Sequence, residues 1–196
     1  MKGNEWEDHY TRLARKEHWL ARSVYKLQEI DQRFKIFRKA QQVLDLGCYP
    51  GSWSQYVLKK VGPNGRVVGV DLKVPAGISA AGFRFVQADV LEMDPQGLRH
   101  EIGSVDVVMS DLAPKTSGVR SVDSARSMEL VRKASELAFC LIPAGGHFLC
   151  KVFEGEALKG FRTEISSRFK NMRLFRAGAT RKGSREIYLI GQNFLS

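Results

Sequence analysis

The chain has 196 residues, 43% of them hydrophobic and 27% charged, a balance that suits one soluble domain with room for a three-layer core. No apolar run approaches the roughly 20 residues needed to span a bilayer, so a cytoplasmic location and no membrane partner are expected. Lysine and arginine outnumber the acids 31 to 21, a net charge of +10 that favours a polyanionic partner, while three cysteines without C-x-x-C spacing and four scattered histidines argue against a disulfide framework or a metal site.

In chain order, Glu5 to Glu17 has helix-forming composition, with Trp6, Tyr10 and Leu13 at i, i+4 and i+7. A second helix runs from about Ser23 to Phe34, with Ser23 as N-cap and Tyr25, Leu27, Ile30 and Phe34 as its apolar positions. Both precede the first strand, and no Pro/Gly/Ser-rich linker follows them. They read as a helical extension, about residues 1–40, of a single domain covering 1–196.

The stretch Val43-Leu44-Asp45-Leu46-Gly47-Cys48-Tyr49-Pro50-Gly51-Ser52-Trp53 reads as a strand ending at Asp45 to Gly47, a tight turn, and a helix opening near Ser52. Glycines there let backbone N–H groups approach a ligand without interference from Cβ, and the helix N-terminus beyond favours electronegative groups. The G-x-G-x-x-G spacing of dinucleotide sites is missing. An Asp-x-Gly-x-x-x-Gly turn is instead the shape that methyltransferases use for S-adenosylmethionine, with Asp45, Gly47 and Gly51 against its methionyl end. Trp53 either packs over that cofactor or anchors its own helix.

From there strands and helices alternate, which predicts an α/β fold with a largely parallel sheet covered on both faces. The helix Ser52 to Val61 stops at Gly62-Pro63-Asn64-Gly65. Strands follow at Arg66 to Asp71, Phe83 to Ala88 and Val105 to Ser110, then a helix at about Ser124 to Leu141 and a strand at His147 to Val152. A helix near Ala157 to Arg168 and strands at about Met172 to Phe175 and Glu186 to Gly191 close the chain. Asp45, Asp71, Asp89 and Asp111 each fall at or just beyond the carboxyl end of a successive strand, where open α/β sheets bind ligands. Asp71, about 20 residues past the glycine turn, suits a ribose diol, and Asp89 the adenine amino group. A strand-end acid alone is as well read as a helix cap; the set of four is harder to explain by packing.

The basic residues cluster near both ends: Arg12, Arg15, Lys16 and Arg22 at the start, and Arg181, Lys182 and Arg185 near the finish. If the two segments flank one face, they form a single cleft for RNA phosphates.

Five motifs, Arg22-Ser23-Val24-Tyr25-Lys26-Leu27, Asp45-Leu46-Gly47-Cys48-Tyr49-Pro50-Gly51-Ser52-Trp53-Ser54-Gln55, Ser110-Asp111-Leu112-Ala113-Pro114, Lys151-Val152-Phe153-Glu154-Gly155 and Ser184-Arg185-Glu186-Ile187-Tyr188, come in an order that resembles the FtsJ/RrmJ family of ribose 2′-O-methyltransferases over nearly the whole chain. The resemblance implies a Rossmann-like methyltransferase fold, a mostly parallel seven-stranded sheet with an antiparallel last strand. It further implies S-adenosylmethionine as donor and, as acceptor, a uridine in the A loop of large-subunit ribosomal RNA, met within the large ribosomal subunit by a monomeric enzyme. The family's catalytic tetrad falls on Lys26, Asp111, Lys151 and Glu186, with Asp111 also beside the cofactor and Lys151 as the sensible base. Without that pattern, Lys26 reads as a solvated helix face and Glu186 as a strand-edge charge. Cys48 and Tyr49 depart from the small residues usual in relatives. A transfer-RNA acceptor, or a non-catalytic RNA-binding assembly factor on the same scaffold, stands as the alternative; a nicotinamide-dependent oxidoreductase is opposed by the missing dinucleotide fingerprint.

Overall fold

The computed structural model describes residues 9–75 and 77–195. The start of the expected first helix, with Trp6, lies outside the described residues. Helix α1 (His9–Lys16) ends where His18 turns left-handed, at φ 59°, and α2 (Val24–Phe34) ends at Lys35, φ 53°, whose N–H bonds back to the Asp31 carbonyl. The buried Asp31 carboxylate fixes the exit from α2. It accepts the N–H groups of Ile36 and Phe37, both at 3.1 Å, and the Tyr56 hydroxyl at 2.8 Å from α3 (Ser52–Val61).

Strands β1 (Gln42–Leu46), β2 (Arg66–Asp71), β3 (Phe83–Gln87), β4 (Val107–Ser110), β5 (His147–Phe153), β6 (Phe169–Phe175) and β7 (Glu186–Phe194) form one sheet in the order β3-β2-β1-β4-β5-β7-β6. Pairings from β3 through β5 are parallel, and β7 runs antiparallel to both neighbours, β5 and β6. The expected mostly parallel α/β sheet with a reversed last strand is therefore present.

Alternation along the strands sorts the core into two layers. Leu44, Val108, Phe148 and Leu189 pack with α4 (Pro95–Ile102), α5 (Arg120–Leu141) and α6 (Glu156–Ser166). Val43, Met109, Leu149, Tyr188 and Ile190 pack with α2 and α3 on the other face. No helix among the described residues is long and apolar enough to cross a membrane.

Several boundaries differ from the sequence reading. Helix α4 has no counterpart in it: Asp94 accepts the Gly97 N–H at 2.7 Å as N-cap and Pro95 opens the first turn, yet Leu98 alone of its residues is buried, so it carries no apolar stripe. Helix α5 begins at Arg120 rather than about Ser124, and the Asp123 carboxylate in its first turn accepts the Ser117 N–H at 2.7 Å. Strand β6 starts at Phe169 and β7 runs on to Phe194, because those two rings meet, 5.2 Å apart, and extend the pairing past the polar Gln192 and Asn193.

Candidate active site

The turn after β1 is built as its glycines suggest. Gly47 lies at φ +78° and Gly51 at φ +118°, where L side chains are strained. A Cβ on Gly47 would come within 2.8 Å of Leu112 Cδ2, and one on Gly51 within 2.5 Å of Ile78 Cδ1. Beyond the turn opens a cleft of about 640 Å³ lined by Gly47, Tyr49, Asp71, Asp89, Asp111 and Leu130 among others. Its size and its acids suit a nucleoside carrying a cationic group.

Asp71, at the end of β2, accepts the Tyr49 N–H at 2.9 Å and the Lys73 N–H at 3.0 Å, which locks the glycine turn to the neighbouring loop. Asp89 accepts the Leu91 N–H at 3.0 Å and caps a single 3₁₀ turn, so its capping role and its place in the cleft wall coexist. Asp45 is fully buried behind the turn, with Oδ2 accepting the Ser54 hydroxyl at 2.6 Å and Oδ1 without a hydrogen-bond partner. Burial, joined by the charges of Asp111 and Asp71, pushes its carboxyl up to about 7, against the opposing pull of the Ser54 hydrogen bond. Gly47 in the wall of a carboxylate-lined cleft and an orphaned buried oxygen behind the turn together fit S-adenosylmethionine.

Asp111 links that cleft to a second cluster on the α2/α3 side of the sheet. Lys151 Nζ, on a side chain only 8% exposed, lies 3.1 Å from Asp111 Oδ1 and donates to the Asp111 carbonyl at 2.5 Å. Lys26 Nζ from α2 lies 2.6 Å from Glu186 Oε1 at the start of β7. The buried Tyr188 hydroxyl joins the two pairs, 2.9 Å from Glu186 Oε1 and 3.3 Å from Asp111 Oδ1. Burial first, and then those two carboxylates, hold that hydroxyl well above its ordinary pKa, so it keeps its proton and remains a donor. Lys26, Glu186, Tyr188, Asp111 and Lys151 thus form one continuous chain of contacts.

Tyr188 is the site residue that sequence reasoning missed. Its signal is the period of two, which puts it on the same strand face as Glu186. Trp53 is buried, donates Nε1–H to the Ser23 carbonyl at 3.0 Å, and packs on the Tyr188 ring with centroids 5.8 Å apart, one residue removed from the cleft-lining Asp111.

The basic segments do meet. Arg22 donates to the Ala179 carbonyl at 2.6 Å, and Glu29 of α2 accepts the Gly178 N–H at 2.7 Å, which ties the N-terminal helices to the loop 176–185. Arg12, Arg15 and Lys16 are exposed on α1, as are Arg181 and Lys182 on that loop. Arg185 differs: it donates to Ser124 Oγ at 2.9 Å and braces the start of β7 against α5.

Residues 19–194 match the model of the FtsJ-like methyltransferase family. Among similar proteins, ribosomal RNA large subunit methyltransferase E of Desulfosudis oleivorans is 44% identical over 190 residues, covering 97% of this chain and 92% of that one. The protein of the same name from Bdellovibrio bacteriovorus is 46% identical over 187 residues, covering 94% and 95%. A solved structure of a Plasmodium falciparum protein described as a ribosomal RNA methyltransferase superposes with a TM-score of 0.79 at 28% identity, covering 91% of this chain and 100% of that one. Family and fold both imply S-adenosylmethionine as cofactor. On this match, and with the glycine turn, the acid-lined cleft and the reversed strand already in place, the chain belongs to the FtsJ-like methyltransferase family.

Proposed function

We propose that the protein transfers a methyl group from S-adenosylmethionine to the 2′-hydroxyl of a ribose in RNA, with a uridine in the A loop of large-subunit ribosomal RNA as acceptor and Lys151 as general base. The observation that carries this reading is the chain from Lys26 to Lys151, which meets the cofactor cleft at Asp111. The names of the similar proteins favour ribosomal over transfer RNA as substrate.

Asp45 and the glycine turn would hold the methionyl end of the cofactor, Asp71 its ribose and Asp89 its adenine. When bound, S-adenosylmethionine supplies a methyl on a sulfonium, a good leaving group. The protein's own task is to align the acceptor hydroxyl and remove its proton. Two directions around Lys151 Nζ are occupied by oxygens of Asp111, which leaves the third for the acceptor hydroxyl. In its neutral form the amine takes that proton. Glu186 and Lys26 then face the acceptor ribose as a fixed pair, with the Tyr188 hydroxyl donated to Glu186.

Lys151→Ala should abolish turnover while cofactor binding, followed by calorimetry, stays near wild type. Lys151→Arg should fail as well, because a guanidinium does not give up its proton. If the arginine variant keeps wild-type rates in single-turnover assays, Lys151 only positions the acceptor. Mass mapping of methylated nucleosides should show one 2′-O-methyluridine missing from large-subunit RNA in a strain lacking the protein; loss from transfer RNA instead would reassign the substrate.

A further inference from the structure

Asp45 takes no part in the proton transfer above, yet its environment is the least hospitable to charge of any acid at the site. It is 0% exposed, one oxygen is engaged by Ser54, and the other has no donor. An orphaned carboxylate oxygen in the interior marks a neutral acid or an ion that needs a cation. The groups that act on it come from every element around it: Asp71 from β2, Asp111 from the end of β4, the buried Cys48 thiol from the turn, and the Ser54 hydroxyl from α3. No lysine, arginine or histidine is among them, and Lys151 is engaged by Asp111.

We propose that Asp45 is a proton-linked member of the cofactor site: it stays protonated in the free protein and ionises when S-adenosylmethionine binds, so that binding releases one proton to solvent. The inference rests on the cofactor assignment made under Proposed function. The cofactor carries a sulfonium and an ammonium against a single carboxylate, a net positive charge brought into a pocket walled by Asp71, Asp89 and Asp111. Three acids at the ends of β1, β2 and β4 repel one another in the empty site, and the most buried of them holds its proton most firmly. An arriving cation reverses that balance. The step is a simple dissociation, the Asp45 carboxylic acid giving a carboxylate in place and a proton to the buffer, with no bond made to the ligand. Protonation of Asp45 also competes with binding, so affinity falls as pH drops through the range in which Asp45 titrates.

The test is calorimetric titration of the whole protein with S-adenosylmethionine in buffers of differing ionisation enthalpy. Near pH 6, where the cofactor's ammonium is fully protonated, the slope should report close to one proton released per cofactor bound, and affinity should drop about tenfold per pH unit on the acid side. Asp45→Asn keeps an acceptor for Ser54 and cannot ionise; both the release and the pH slope should vanish in it. Binding without proton release near pH 6 overturns the inference, and that result needs only the wild-type protein should the variant fail to fold. Release that persists undiminished in a folded Asp45→Asn variant overturns it too. Absence of any cofactor binding would instead overturn the cofactor assignment, and this inference with it.

Discussion

Tyr188 has one hydrogen and two carboxylate neighbours, and the distances say where that hydrogen goes. At 2.9 Å Glu186 receives it, while Asp111 at 3.3 Å keeps its nearer partner, Lys151 at 3.1 Å. The phenol therefore holds two like charges apart and in register. Tyr188→Phe preserves the ring packed on Trp53 and removes only the hydroxyl. A hydrogen bond to a charged group contributes about 1.5–3 kcal/mol, so single-turnover methyl transfer should slow by roughly 10- to 150-fold with cofactor affinity unchanged. A rate within twofold of wild type would show that the two ion pairs hold themselves. At this scale much was legible: the four tetrad residues, placed by resemblance, are brought together. Tyr188 was not, because Ile187, Leu189 and Ile190 beside it make the strand read as a uniform apolar run that hides its alternating faces.

Among the elements, the turn between β1 and α3 is the most constrained. Gly51 at φ +118° faces Ile78 and Leu20, which belong to the loop after β2 and to the turn after α1. Those neighbours are side-chain ends that can shift, so the lasting cost of Gly51→Ala is backbone strain, about 1–3 kcal/mol. The variant should fold, melt several degrees lower, and bind S-adenosylmethionine more weakly, both read by a melting curve with and without cofactor. An unchanged melting temperature would mean that the turn relaxes freely. The bounds of α3 and β2 are those the sequence predicts, since glycines and the Gly62-Pro63 pair punctuate them sharply. Helix α4 escaped because its signals are all capping and no stripe: Asp94 and Pro95 start it, Gly103 ends it, and Gly97 interrupts its middle. The early start of α5 escaped for a related reason, as Arg120 and Ser121 are exposed and show no periodicity.

At the scale of the molecule, the net charge of +10 is arranged rather than spread. Hydrogen bonds from Arg22 and to Glu29 tie the turn before α2 and α2 itself to the loop 176–185, and Arg22 lies over the Tyr10 ring of α1, 5.5 Å from its centroid. Replacing Arg12, Arg15 and Lys16 together should weaken RNA binding and leave cofactor affinity intact. The slope of log affinity against log salt should fall by about 2 to 3, since each phosphate no longer neutralised is worth about 0.7–0.9. An unaltered slope would place the RNA on another face. Composition showed that a polyanion is the partner to expect, but the meeting of the two basic segments depends on hydrogen bonds between residues more than 140 positions apart, which no local pattern encodes.

The strand order has a consequence for how the enzyme comes into being. Strand β7 is the last of the seven to be made, yet it lies between β5 and β6, both synthesised before it. Until it arrives, β6 has no partner strand on the sheet, and Lys26 lacks its partner Glu186. A domain folds as a unit, so the cleft, walled by residues up to Leu130, and the pairs that depend on β7 become one structure only when the whole chain is available. The Lys26–Glu186 pair and the Tyr188 hydroxyl between the two pairs therefore close last, and any premature stop before residue 186 yields a protein without either Glu186 or Tyr188.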